Sequence, residues 1–128
     1  MRRQMSKYNS KKVHYKGIEF ASRKEYRRYR DLELLEMAGQ ISGLELQKPF
    51  EIIPAQYGEP TEFYKRGEKK GQPKQGKLLE QAVYYVADFC YEENGEYIVE
   101  DAKGVRTKDY IIKRKLMLYV HGIRIKEV

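Results

Sequence analysis

Asn94-Gly95, set between two strand-like runs, constrains this chain more than any other feature. Asn-Gly supplies the two positive-φ positions that a tight β-hairpin turn needs. Upstream lies Val83-Tyr84-Tyr85-Val86-Ala87-Asp88-Phe89, and downstream Tyr97-Ile98-Val99-Glu100-Asp101-Ala102-Lys103-Gly104. A hairpin pairing 82–91 with 96–103 brings Asp88 beside Asp101. Strand side chains alternate faces, so Asp101 and Lys103 point the same way and Glu100 points away from them. Two carboxylates and an ammonium group then converge on one sheet surface. That arrangement is suited to holding a divalent cation against a phosphate.

The remaining elements are set by capping signals and periodicity. Val13-His14-Tyr15 and Ile18-Glu19-Phe20 flank Lys16-Gly17 and read as a short hairpin. Ser22-Arg23-Lys24-Glu25 has capping-box spacing and Gly39 is placed as a stop, which predicts a helix over 23–38. Its apolar face holds Tyr29, Leu32, Leu35 and Ala38. Residues 44–53 read as a strand, with Leu44, Leu46, Phe50 and Ile52 on one parity and Glu45, Gln47 and Glu51 on the other. Pro49 implies an edge position or a bulge. Residues 54–80, rich in Gly, Pro, Lys, Gln and Glu, read mostly as a long mobile loop with extended pieces around Phe63-Tyr64. Thr107 or Asp109 caps a second helix that runs to about Val120 and ends at Gly122. Its expected apolar side is Ile111, Ile112, Leu116, Tyr119 and Val120. Ile123-Arg124-Ile125-Lys126 is a final short strand. The order helix, strand, strand, strand, helix, strand describes an α/β sandwich with a mixed sheet. The expected organisation is one domain over 13–128 behind a flexible basic arm at 1–12.

Charge bears on the partner. The chain's 26 Lys and Arg against 19 Asp and Glu give a net charge of +7 over 128 residues. The excess is clustered at Arg2 to Lys16, at Lys65 to Lys77 and at Lys108 to Lys115. Such patches favour a polyanion through counterion release at phosphates. No run of 18 apolar residues is present, so no membrane span is expected. The single Cys90 cannot form an internal disulfide, which fits a reducing, cytosolic setting. His14 and His121 lack metal-ligand spacing, and no zinc, P-loop or dinucleotide motif occurs.

With these residues in place, the chain resembles the PD-(D/E)xK nuclease superfamily. More closely it resembles a group of small phage-encoded nucleases, some of them similar to Holliday-junction resolvases. The blocks that carry the resemblance are Ser22-Arg23-Lys24-Glu25-Tyr26, Gly39-Gln40-Ile41-Ser42-Gly43-Leu44, Leu46-Gln47, Tyr85-Val86-Ala87-Asp88-Phe89, Glu100-Asp101-Ala102-Lys103-Gly104 and Thr107. The resemblance implies a restriction-endonuclease-like αβββαβ core. Asp88 corresponds to the first acidic position, and Asp101-Ala102-Lys103 to the second half of the motif. Ala87 stands where the motif has proline.

The implied activity is Mg2+-dependent hydrolysis of DNA, with Mn2+ able to replace Mg2+. The expected ligands are Asp88, Asp101, the backbone carbonyl of Ala102, and Glu25, which helical spacing puts on the packed face with Tyr29 and Leu32. Lys103 is the expected catalytic cation. Gln47, Lys74, Lys77, Thr107, Lys113 and Lys115 are candidate DNA contacts. Branched DNA, a homodimer and the cytoplasm of an infected or lysogenic bacterial host complete the expectation. Flap, nicked or linear duplex substrates stay open, as does a non-catalytic DNA-binding module. So do structural roles for Glu25 and Thr107 as helix caps and for Gln47 as a solvated strand residue.

Overall fold

Asn94 and Gly95 turn the chain with φ of 52° and 77°, joining β6 (Val83–Glu93) to β7 (Glu96–Asp101). The structure is a computed structural model and describes residues 11–128. The first ten residues of the expected basic arm lie outside the described residues. Before the hairpin come β1 (Val13–Tyr15), β2 (Ile18–Phe20), α1 (Arg23–Met37), β3 (Ser42–Ile53), β4 (Gln56–Tyr57) and β5 (Leu78–Glu80). After it come α2 (Lys108–His121) and β8 (Lys126–Glu127).

The central sheet has the order β3-β6-β7-β8. The first two pairings are antiparallel and β7–β8 is parallel. It is therefore the mixed sheet of an αβββαβ core. Pro49 sits on β3, an edge strand, the position expected for a residue without a backbone N–H. Ser22 caps α1, its hydroxyl accepting from the Glu25 N–H at 3.2 Å, and Thr107 caps α2 in the same way. Gly122 ends α2 in the left-handed conformation, φ 67°.

Each helix covers one face of the sheet. Leu32 of α1 packs with Phe20, Ile41, Phe89 and Tyr91. Tyr110 and Met117 of α2 pack with Ile52, Tyr85, Ala87, Val99 and Ile125. Ile98 joins the first cluster and its neighbour Val99 the second, so the clusters lie on opposite faces.

β3 does not have the single apolar face expected of it. Leu44 and Leu46 pack with α1, whereas Phe50 and Ile52 pack on the α2 side. The switch falls at Gln47, whose φ of 52° is left-handed and interrupts the alternation. β6 switches at the same level: Tyr85 and Ala87 face α2, while Phe89 and Tyr91 face α1. The register Leu46↔Phe89 and Lys48↔Ala87 puts Gln47 opposite Asp88, so both strands change face at one rung.

Three further expectations change. The buried residues of α2 are Tyr110 and Met117, with Ile111 and Leu116 partly covered. Ile112, Tyr119 and Val120 are exposed, because the helix is apolar on more than one side and the sheet covers only one. The last strand is Lys126–Glu127 rather than 123–126. Ile123 N–H instead closes the α2 terminus on Met117 O at 3.3 Å, and the chain must turn back before it reaches β7. Residues 54–80 hold more pairing than the expected loop with extended pieces around Phe63-Tyr64: β4 pairs with β5, and Phe63 bridges Pro73. This excursion prolongs β3 and β6 as a two-stranded ribbon. Among the described residues, no helix is long and apolar enough to cross a membrane.

Candidate active site

Asp88 lies on β6 where both strands change face. Its Oδ2 accepts the Ala102 N–H at 2.9 Å, which ties the end of β7 to the carboxylate. Asp101, the last residue of β7, is 1% exposed. One of its oxygens accepts from the Tyr85 hydroxyl. The other, Oδ1, is buried and accepts no hydrogen bond. Lys103 Nζ stands 3.3 Å from it, a charge contact without hydrogen-bond geometry. The same ammonium lies 4.7 Å from the centre of the Tyr110 ring, and Lys24 Nζ donates to Lys103 O at 2.8 Å.

Glu25, in the first turn of α1, is buried. Its side chain accepts from the Ala21 backbone, while Gln47 Nε2 donates to Glu25 Oε1 at 3.0 Å. Gln47 Nε2 also reaches Asp88 Oδ1 at 3.5 Å. The left-handed Gln47 thus bridges the helix carboxylate and the strand carboxylate. Ser22, Glu25, Asp88, Ala102, Lys103 and Thr107 line an open hollow of about 500 Å³. Strand alternation sends Glu100 to the other face. There it is fully buried and bonded to Tyr91 and Arg28, with Arg28 Nη2 at 3.0 Å. Arg28 is therefore committed to Glu100.

The electrostatics reflect this crowding. Burial, then the neighbouring Asp101 and Glu25, push the Asp88 carboxyl up to about 7, against the opposing Ala102 N–H. Burial also raises Glu25; Asp101 adds to that rise, and the Ala21 backbone bond and Lys103 counter it. Burial and its bond to Asp101 raise the Tyr85 hydroxyl, keeping it protonated as a donor. Three carboxylates thus crowd around one lysine.

These residues fit a hard divalent cation. Among the described residues, no three His, Cys, Asp or Glu side chains converge tightly enough to cage a metal by themselves. Mg2+ does not need such a cage, because it keeps several waters and takes one or two carboxylates. Asp88 and Asp101 are near enough for each to oppose the other's charge, and Asp101 Oδ1 is a buried oxygen that accepts no hydrogen bond. A divalent cation there would add direct coordination to an oxygen that now has only the Lys103 charge contact.

The other candidates fall in three places. Thr107 lines the hollow, but its Oγ1 is already engaged by the Tyr110 N–H at 3.1 Å. Lys115 lines a separate hollow with Arg114 and Arg124, and Lys113 does not line the carboxylate hollow. Lys74 and Lys77 belong to the ribbon, Lys74 lining a hollow of its own there. Sequence reasoning missed Tyr85 and Lys24 as supports of Asp101 and Lys103, and nothing in their local pattern marks them. It also missed the bridging geometry of Gln47, whose only signal was its polar parity beside Leu46.

Neither a curated protein nor a solved structure matches the chain. A family model described as a protein of unknown function, DUF1064, matches residues 5–126. That match spans nearly the whole sequence, and the chain belongs to the DUF1064 family.

Proposed function

We propose that this protein is a Mg2+-dependent DNA endonuclease of the PD-(D/E)xK type, acting on branched DNA. The resemblance implies a phage setting in the cytoplasm of a bacterial host. The observation that carries the reading is Asp101: a buried carboxylate with one oxygen lacking a donor, beside Asp88 and Lys103 under an open hollow. An aspartate serving structure alone gains by hydrogen-bonding both oxygens, roughly 0.5–1.5 kcal/mol each, whereas Oδ1 here has only the Lys103 charge contact.

Asp88, Asp101, the Ala102 carbonyl and Glu25 would hold the cation. When bound, it supplies Lewis-acid polarisation of a phosphate oxygen and a water of lowered pKa. The chain's own residues do the rest. The Ala102 N–H and the Tyr85 hydroxyl fix the two aspartates from behind, so neither must reorganise as substrate arrives. Lys103, with its side chain 31% exposed toward the hollow, donates to a phosphate oxygen and offsets charge growing on phosphorus. Glu25, raised by burial and steadied by Gln47, takes the proton of the attacking water. In-line attack breaks the P–O3′ bond, the departing 3′-oxygen takes a proton from solvent water, and 3′-hydroxyl and 5′-phosphate ends remain.

Incubation with labelled four-way junction, flap and linear duplex, in Mg2+ or in chelator, tests this directly. Cutting in Mg2+ should fall by about 10³-fold or more in Asp101→Asn and by about 10²-fold in Lys103→Ala, with both variants folded. Failure to cut any of the three substrates in Mg2+ or Mn2+ sinks the enzyme reading.

A further inference from the structure

The ribbon between β3 and β6 is a built element that the site does not use. Its root is closed by β4–β5 pairing and by Gly58 N–H on Lys77 O at 2.8 Å. Farther out, Lys74 N–H meets Glu62 O at 2.8 Å and Tyr64 N–H meets Gln72 O at 2.9 Å. The tip turns through Gly67 and Gly71, both left-handed at φ 82° and 84°. Yet the ribbon buries almost nothing. Tyr57, Phe63, Leu78 and Leu79 are all exposed. A hydrogen-bonded ribbon held clear of the core gains its use from what it touches.

Its chemistry is specific. Phe63 is 56% exposed, with no polar atom on its ring. Tyr64 is half-buried between two ammonium groups, with Lys69 and Lys74 Nζ each 5.6 Å from its centroid. Phe63 and Tyr64 line one hollow together with Lys65, Arg66 and Lys74, so a bare aromatic ring and a lysine-clad one border the same basic cleft. From 62 to 74, Lys65, Arg66, Lys69, Lys70 and Lys74 stand against only Glu62 and Glu68.

Resting on the DNA reading above, we infer that this ribbon is a second DNA-binding site, which takes unpaired or unstacked bases on Phe63 while its lysines and Arg66 hold the flanking phosphates. A closed duplex offers Phe63 no accessible π-face, and the ring carries no donor or acceptor to read a base edge. An unpaired base offers its whole face, and every base stacks. Reach is consistent with this. Phe63 is 16 positions beyond Gln47, so it can stand at most about 55 Å along the chain from Gln47, which touches the carboxylates. One turn of DNA is about 34 Å. The tip would therefore meet DNA flanking the cut, where a branch leaves unpaired bases.

Fluorescence anisotropy in chelator, where nothing is cut, separates the terms. The full-length protein should bind flap or junction DNA with unpaired bases more tightly than closed duplex of the same length. Phe63→Ala should weaken binding to unpaired DNA about tenfold, leave duplex binding within about twofold, and leave the melting temperature unchanged. Phe63→Tyr should restore it. Replacing Lys65, Arg66, Lys69 and Lys70 with Gln should weaken both substrates and flatten the salt dependence. Unchanged binding in both the Phe63→Ala and the four-residue variant overturns the proposal and points to a protein partner for the ribbon. Equal loss on duplex and unpaired DNA overturns the stacking role. If the pattern holds in a protein that cuts nothing, the nuclease reading fails alone. If branched DNA is cut while these variants bind normally, the ribbon proposal fails alone.

Discussion

Asp88 in the folded chain holds a proton that an aspartate of ordinary pKa, 3.8, gives up, because its carboxyl is pushed up to about 7. Between those two values the folded state binds more protons than the unfolded chain, so stability falls as pH rises through that window. The penalty is absent below about pH 4 and complete above about pH 7. Asp88→Asn removes it. In chelator the variant should gain on the order of 4 kcal/mol at about pH 8 and nothing at about pH 4, read as melting temperature across a pH series, while cleavage in Mg2+ is lost. An equal shift at both pH values would show that the carboxylate is not frustrated. Gln47 pairs function and strain in the same way. A left-handed non-glycine residue costs about 1 kcal/mol, so Gln47→Gly should raise stability by up to that amount. Yet it removes the amide that joins Glu25 to Asp88 and should slow cleavage about tenfold or more. Gln47→Ala should lose activity without the gain in stability.

At the scale of elements, what could be read from the chain was whatever a few neighbouring residues decide. Asn94-Gly95 dictates its own turn, Ser22 and Thr107 cap the helices they precede, and Gly122 stops α2. The hairpin then carries Asp88, Asp101 and Lys103 together with no long-range information. Choices made by packing were hidden. Gln47 has no intrinsic taste for the left-handed region; the partners its side chain meets there are distant in sequence, Glu25 22 residues away and Asp88 41 residues away. α2 offers Ile112 and Tyr119 as readily as Tyr110 and Met117, and only the sheet decides between them. The ribbon looked like loop because Gly and Pro punctuate it, while its ladder joins Gln56 to Glu80 with no local pattern. One glycine there is a packing requirement. A Cβ at Gly76 would lie 2.1 Å from Gly58 O, a backbone atom that cannot step aside. Gly76→Ala should therefore open the root of the ribbon. Hydrogen exchange at the Gly58 amide, bonded to Lys77 O, should accelerate about tenfold or more, while amides of β6 and β7 keep their protection. Unchanged exchange at Gly58 would mean the backbones part without cost.

For the whole molecule, the decisive quantity is the number of copies. Resolving a four-way junction takes two coordinated cuts, and each chain offers one pair of adjoining strand carboxylates. The proposed activity on junctions thus requires two protomers related by a two-fold axis. A surface that could serve such pairing is the outer face of α2. Ile112, Tyr119 and Val120 lie within one stripe of the helix and are 58%, 87% and 48% exposed. That is apolar area the fold leaves bare after its core is complete, and it sits away from Tyr110, the α2 residue beneath Lys103. Pairing through it would leave both hollows open to DNA. Sedimentation or light scattering at micromolar concentration should give twice the 15.3 kDa chain mass. Tyr119→Asp should return the mass to that of one chain, since losing a central aromatic anchor costs at least about 2 kcal/mol of binding, and a new charge there must also be desolvated. The same variant should still cut flap DNA, which needs one site, but should nick junctions once instead of cutting them in symmetrical pairs. A wild-type protein that stays monomeric even on junction DNA, yet cuts flaps, would move the substrate from junctions to single-branch structures and leave the carboxylate chemistry as it stands.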